Sequence, residues 1–138
     1  MSNKVKNLVP YLYFAGTCEE ALNFYSKIFN GKLNIENRYD DPGMQAPKEY
    51  HDKVLHATLE FEGYSIMACD SLPGSEAKTE TGNVSLSIAA SDAETGKMLF
   101  EQLSQGGKVN MAFEKQFWGA WHGNFIDQYG ISWMINCD

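Results

Sequence analysis

No stretch of this sequence approaches the roughly 20 consecutive apolar residues that span a bilayer. Its opening segment, MSNKVKNLVPYLYF, has two lysines but neither the apolar core nor the small-residue cleavage site of a signal peptide. Basic residues are scarce too: 11 Lys and Arg stand against 18 Asp and Glu, and none gather into a run or stripe. The resulting net charge of −7 repels phosphate backbones. The expectation is therefore no nucleic acid and no membrane as partner. Cysteine is limited to Cys18, Cys69 and Cys137, an odd set without a C-x-x-C pair. That reads as three reduced thiols in a cytoplasmic protein. A G-x-S-x-G elbow and an EF-hand loop are also missing, so a serine nucleophile and a calcium loop lack their usual carriers.

What is present is ordinary globular composition, 43% hydrophobic and 21% charged, in a chain long enough for a single domain with its own core. Within it, HATLEFEGYSIMACD (56–70) and HGNFIDQYGISWMINCD (122–138) repeat each other. Each starts at a histidine, turns at a glycine, continues as Gly-x-Ser-x-Met and ends in Cys-Asp. The segments before them repeat as well. VPYLYF reads as a strand; Thr17 and Glu20 then have capping-box spacing. Ala21, Leu22, Phe24, Tyr25, Ile28 and Phe29 form a helical stripe, and Gly31 stops it. In the second half NVSLSIAA is the strand and Ser91 and Glu94 the capping box. Leu99, Phe100 and Leu103 are the stripe, and Gly106 and Gly107 the stop. KLNIEN follows the first stop as KVNMAF follows the second.

The spacing thus predicts an α+β fold of two tandem βαβββ modules within one domain, 1–138. Module 1 covers about 5–71, a polar linker about 72–82, and module 2 about 83–138. Alternation predicts sheets with one apolar and one polar face. Ala57, Leu59 and Phe61 oppose His56, Thr58 and Glu60, while Val84, Leu86 and Ile88 oppose Ser85 and Ser87. Helices belong on the apolar side, which leaves the polar side for chemistry.

On PYLYFAGTCEEALNFYSKIFNGK, HATLEF and FWGAWHGNFIDQYGISWMIN, which with their flanks span nearly the whole chain, the sequence resembles the vicinal oxygen chelate superfamily. That group holds glyoxalase I, bleomycin-resistance proteins and extradiol dioxygenases, and the similarity is greatest to its PhnB-like branch. The resemblance implies curled mixed sheets around a shared concave cleft and a homodimer. Members of the branch often carry a demethylubiquinone-methyltransferase-like name, yet the Gly-rich strand-to-helix turn of a methyltransferase cofactor site is not found. The superfamily's metal-ligand positions, carried over one by one, fall on Pro10, Glu60, Ser85 and Met134. Only Glu60 is a good ligand for a hard or borderline cation, and catalytic zinc takes three protein ligands. The expectation is no metal and no other cofactor.

Two histidines remain as candidates. His56 on the polar strand face is a candidate general base, with Glu60 as the candidate acid or base; the plainer readings are a locally bonded strand-end histidine and a solvated carboxylate. His122 follows the aromatic segment FWGAW, where Trp118 and Trp121 serve either as a ligand wall or as core and interface. The expected ligand-binding set is Pro10, His56, Thr58, Glu60, Ser85, Ser87, Trp118, Trp121, His122 and Met134. The expected function is small-molecule binding without the superfamily metal centre, sequestering a compound as bleomycin-resistance proteins do. The alternative is a lyase, isomerase or dioxygenase, metal-dependent or metal-free; a third is a partner-binding dimer. Cys18, beside Glu19 and Glu20, is read as structural, and 40–47 as an irregular connection.

Overall fold

The computed structural model describes residues 4–72, 74 and 82–138. Most of the segment expected as a linker lies outside the described residues. The chain divides into two compact units, Met1–Ala77 and Lys78–Asp138.

Unit 1 runs β1 (Tyr11–Phe14), α1 (Cys18–Phe29), β2 (Lys32–Arg38), β3 (Val54–Phe61) and β4 (Tyr64–Asp70). The expected irregular connection between β2 and β3 contains two short 3-10 turns, Pro42–Met44 and Lys48–Tyr50. Unit 2 repeats the order with β5 (Leu86–Ala89), α2 (Ala93–Leu103), β6 (Lys108–Lys115), β7 (Trp121–Ile126) and β8 (Ser132–Cys137). The first sheet has strand order β1-β4-β3-β2 and the second β5-β8-β7-β6. In each, the first strand pairs parallel and the others antiparallel. The doubled βαβββ plan is therefore the architecture of the protein.

The helix stripe forms the core of unit 1. Cys18, Ala21, Leu22 and Tyr25, spaced i, i+3, i+4 and i+7, are all fully buried. The helix lies against β2, β3 and β4, where Ala57, Leu59, Ile66 and Ala68 are buried. A buried leucine such as Leu22 or Leu59 contributes about 1.5–3 kcal/mol. Phe29, at the helix end, stacks on Phe61 with ring centroids 4.3 Å apart. In unit 2 Phe100, Leu103, Phe125, Trp133 and Ile135 play the same part. Val84, expected on the apolar face of its strand, precedes β5 and is 72% exposed.

Neither capping box forms. Thr17 occupies the N-cap of α1 without a side-chain cap bond. The start of the helix is fastened by Asp70 at the end of β4, whose Oδ1 accepts from Gly16 N and Cys18 N, each at 2.9 Å. A carboxylate at a helix N-terminus is the stronger acceptor, and it meets the positive end of the helix dipole. The same carboxylate accepts from Val54 N through Oδ2 at 2.9 Å. In α2 the cap is Asp92 rather than Ser91, with Thr95 N donating to Asp92 Oδ1 at 2.7 Å.

The helix stops also differ from expectation. Asn30 takes the left-handed conformation at the end of α1 (φ 53°), and α2 already ends at Ser104. Gly31 and Gly107 instead open strands at points where the chain runs close to its neighbour. A Cβ on Gly31 would lie 2.9 Å from Glu60 O, and one on Gly107 would collide with Ile126 O. Both are followed by a lysine paired with that same residue, Lys32 with Glu60 and Lys108 with Ile126.

Candidate functional site

Registered residues on neighbouring strands share a face, so the pairings sort each sheet into a helix-covered and an open side. In unit 1 the row Tyr11, Met67, Thr58, Asn34 lies on the open side, and His56 and Glu60 alternate onto it with Thr58. A β-bulge then brings in an acid. Ile35 pairs Ala57 and Asn37 pairs His56, so Glu36 and Asn37 together oppose His56.

The result is a chain of three side chains. Tyr11 Oη lies 3.1 Å from His56 Nδ1, and His56 Nε2 lies 3.7 Å from Glu36 Oε2. Asn34 Nδ2 donates to Glu36 Oε1 at 3.2 Å and steadies the carboxylate. The rings of Tyr11 and His56 stack with centroids 5.7 Å apart, and Tyr13 follows at 5.2 Å from Tyr11. Burial, the neighbouring Cys69 thiol and nearby Tyr13 push the Tyr11 phenol well above its ordinary ionisation range. Cys69 is itself raised, chiefly by burial, although its hydrogen bond with Tyr11 works the other way.

The remaining unit 1 candidates lie elsewhere. Glu60 is exposed and registered between Lys32 and Ser65. With those two it borders an open recess of about 440 Å³ at the β3–β4 turn. Thr58 is buried rather than presented, at 9% exposure. Pro10 precedes β1 and its carbonyl accepts Met67 N; alternation sets it apart from Tyr11 and from the face that holds Glu60.

In unit 2 the open side carries Ser87, Met134 and Asn124 in one row and His122 with Asn136 in the next. His122 Nδ1 is 2.7 Å from Asn136 Oδ1, and Asn124 Nδ2 is 3.0 Å from His122 Nε2. Asn136 Nδ2 donates to Ser87 Oγ at 3.1 Å. One assignment satisfies all three bonds: Asn124 donates to His122, His122 to Asn136, and Asn136 to Ser87. Ser85 and Ser132 share a hydrogen bond of 2.7 Å.

The two tryptophans part company. Trp118 is 56% exposed, meets Phe117 edge-on and has its ring 6.4 Å from that of His122. Trp121 alternates with Gly123 and Phe125 onto the helix-covered side, where it stacks on Phe113 at 5.6 Å.

The superfamily metal positions do not make a donor set. Pro10 offers no side-chain ligand, Ser85 is hydrogen-bonded to Ser132, Met134 is a soft ligand, and Glu60 alone is a hard one. Among the described residues no group of three or more His, Cys, Asp or Glu is arranged to hold a metal ion. No helix among them is long and apolar enough to cross a membrane.

Tyr11, Glu36, Asn124 and Asn136 do not stand out in the sequence. The signal for Asn136 is present but misleading. Counted from Ser65 and Ser132, Cys69 comes four residues on and Cys137 five, so the two Cys-Asp endings are out of step by one. The counterpart of Cys69 is Asn136, whereas Cys137 pairs with Trp121.

Comparison with known proteins accords with this plan. A curated relative, protein YjdN of Escherichia coli strain K12, is 30% identical over 142 residues, covering 94% of this chain and 93% of its own. The structure of the PhnB protein from Bacillus cereus matches with a TM-score of 0.83 at 28% identity, over 96% of this chain and 100% of the other. A glyoxalase/bleomycin resistance protein/dioxygenase family enzyme from Burkholderia phytofirmans PsJN shares the fold, with a TM-score of 0.60 at 12% identity over 92% and 94% of the two chains. The model of the family described as 3-demethylubiquinone-9 3-methyltransferase matches residues 6–136, and the chain belongs to that PhnB-like family.

Proposed function

We propose that the protein binds a small, partly apolar organic molecule on the open sheet faces and does so without the superfamily metal centre. The observation that carries this reading is the treatment of His56 and His122. Each module places the histidine of its repeated segment on the side its helix leaves bare, bonded into a chain of polar side chains, with an aromatic ring at hand: Tyr11 and Tyr13 for His56, Trp118 for His122. Polar groups held in place beside flat apolar surface are what a small-molecule site needs. The donor set at Pro10, Glu60, Ser85 and Met134 supports the metal-free form. Homodimerisation and a cytoplasmic setting belong to the same proposal. Methyl transfer, the activity in the family's description, finds no support in a Gly-rich cofactor turn.

A metal-free acid–base enzyme is the second reading. Its specific support is that His56 has a carboxylate partner, and that partner is Glu36 rather than Glu60. Glu60 stands four residues along the strand, about 13 Å away.

The deciding experiment is a melting scan of the intact chain against a panel of small aromatic and aliphatic compounds, with Mg²⁺, Mn²⁺, Fe²⁺, Ni²⁺ and Zn²⁺ as parallel arms. A bound compound at about 100 times its dissociation constant stabilises the native state by about 2.7 kcal/mol, several degrees here. Organic hits that perturb the amide signals of residues 56 or 122 support the reading. A stoichiometric metal with a large shift, or no organic hit at all, overturns it.

A further inference from the structure

The direction of the hydrogen bonds around His56 says more about the ligand than the presence of the histidine does, on the reading that this open face binds a small molecule. Glu36 presents a carboxylate oxygen 3.7 Å from His56 Nε2. A carboxylate only accepts, so a lone pair on Nε2 would face like charge there, whereas an N–H faces its complement. The proton of the neutral imidazole therefore belongs on Nε2. Nδ1 is left as an acceptor, and its partner at 3.1 Å, Tyr11 Oη, has to supply the proton of that bond. The only hydrogen of the phenol is then committed inward. Burial favours the protonated phenol, so the hydrogen is there to be given.

What Tyr11 shows outward is an oxygen that can only accept. The Cys69 sulfur lies beside the same phenol, and the oxygen keeps a lone pair open on a side chain that is 38% exposed. The tilted ring of Tyr13, 5.2 Å from that of Tyr11 and 58% exposed, extends the apolar surface beside it. We propose that the open face of unit 1 is a subsite for a flat ring carrying an O–H or N–H group, which stacks against Tyr11 and Tyr13 and donates its hydrogen to Tyr11 Oη. Tyr11 and Tyr13 touch the ligand; His56 and Glu36 are positioning residues that set the polarity of the phenol. A ring of the same shape with its donor methylated is discriminated against, because it leaves the oxygen of Tyr11 without a partner.

The test uses phenol and anisole as probes, which differ by that one donor. The intact ¹⁵N-labelled chain is titrated with each, and the amide shifts of Tyr11, Tyr13, His56 and Thr58 are followed. Phenol is expected to bind about three- to tenfold more tightly than anisole, the range of one net hydrogen bond. Tyr11→Phe is expected to remove the difference, and Tyr64→Phe, at an exposed tyrosine on the β3–β4 turn, to preserve it. Long-range ¹H–¹⁵N spectra of the free wild-type protein report the tautomer of His56 directly and do not depend on any variant folding. Equal binding of the two probes, an Nδ1–H tautomer, or a phenol preference that survives in Tyr11→Phe would each overturn the proposal while leaving small-molecule binding on this face intact. Binding of neither probe to these residues would overturn both.

Discussion

Asp70 is the most consequential side chain that binds nothing but its own backbone. It is fully buried, and its two oxygens take the amide hydrogens of Gly16, Cys18 and Val54, each at 2.9 Å. Asp70→Asn preserves the shape and one oxygen but turns the other position into an NH2 group. That group faces the Val54 amide, donor against donor. The loss of one bond to a charged acceptor costs about 1.5–3 kcal/mol, and a buried amide left without a partner adds about 1–3. The working figure is about 3–5 kcal/mol. At about 2.1 cal/mol/K of unfolding entropy per residue, each kcal/mol moves the melting point of a chain this size by about 3–4 °C, so the expected drop is roughly 10–17 °C. Far-UV circular dichroism measures it for the whole chain. Excitation of tryptophan adds unit resolution, since Trp118, Trp121 and Trp133 all lie in unit 2. A drop below about 3 °C would refute the reasoning, because it would mean that the Val54 amide is satisfied by other means.

Three further outcomes are expected. Gly107→Ala forces a Cβ into Ile126 O and Asp127, where backbone cannot give way, and urea unfolding should show a loss of about 1–3 kcal/mol or more. Burial raises the phenols of Tyr11 and Tyr39, and that of Tyr50 to about 12. Their folded-state ionisation lies above the unfolded value of about 10. The stability they lend is complete below about pH 10 and is lost as pH climbs through the raised folded values, about 12 for Tyr50, so absorbance at 295 nm should show a late tyrosine phase that coincides with unfolding. Glu19 is held below the ordinary carboxylate range, first by its hydrogen bond to Arg38. This contribution is present above the unfolded value of about 4.3 and is lost as pH falls through the lower folded one. Both partners are more than a third exposed, so Glu19→Gln should cost less than about 1 kcal/mol at pH 7 and nothing near pH 2.

Patterns of short range were legible in the sequence, and interactions of long range were not. The stripe Ala21, Leu22, Tyr25 and the alternation Ala57, Leu59 follow from helix and strand periodicity, and the repeat of both gave the two modules. Thr17 had the right spacing for a cap, yet the start of α1 is held at Cys18 N by a carboxylate 52 residues away in sequence. No local rule announces such a competitor. Glu36 reached His56 through a bulge in β2, which sequence spacing does not encode. Trp121 was left open between wall and core; it stacks on Phe113 away from His122 because neighbours in sequence alternate across a strand.

The buried acids of the two units differ in reach, and that sets an order in time. Asp127 takes the amides of Tyr129 and Ile131 and the indole of Trp133, two to six residues away, all within the turn and first residues of one hairpin. Asp70 has to wait for residues 54 and 52 positions earlier to arrive. A hairpin closes within about 1–10 microseconds, whereas long loops must be gathered before their contacts give any return. The expected order is an early β7–β8 hairpin and a late fastening of the start of α1. Asp127→Asn should slow folding, and Asp70→Asn should chiefly hasten unfolding. With those outcomes, two copies of one plan would reach the same topology by different routes.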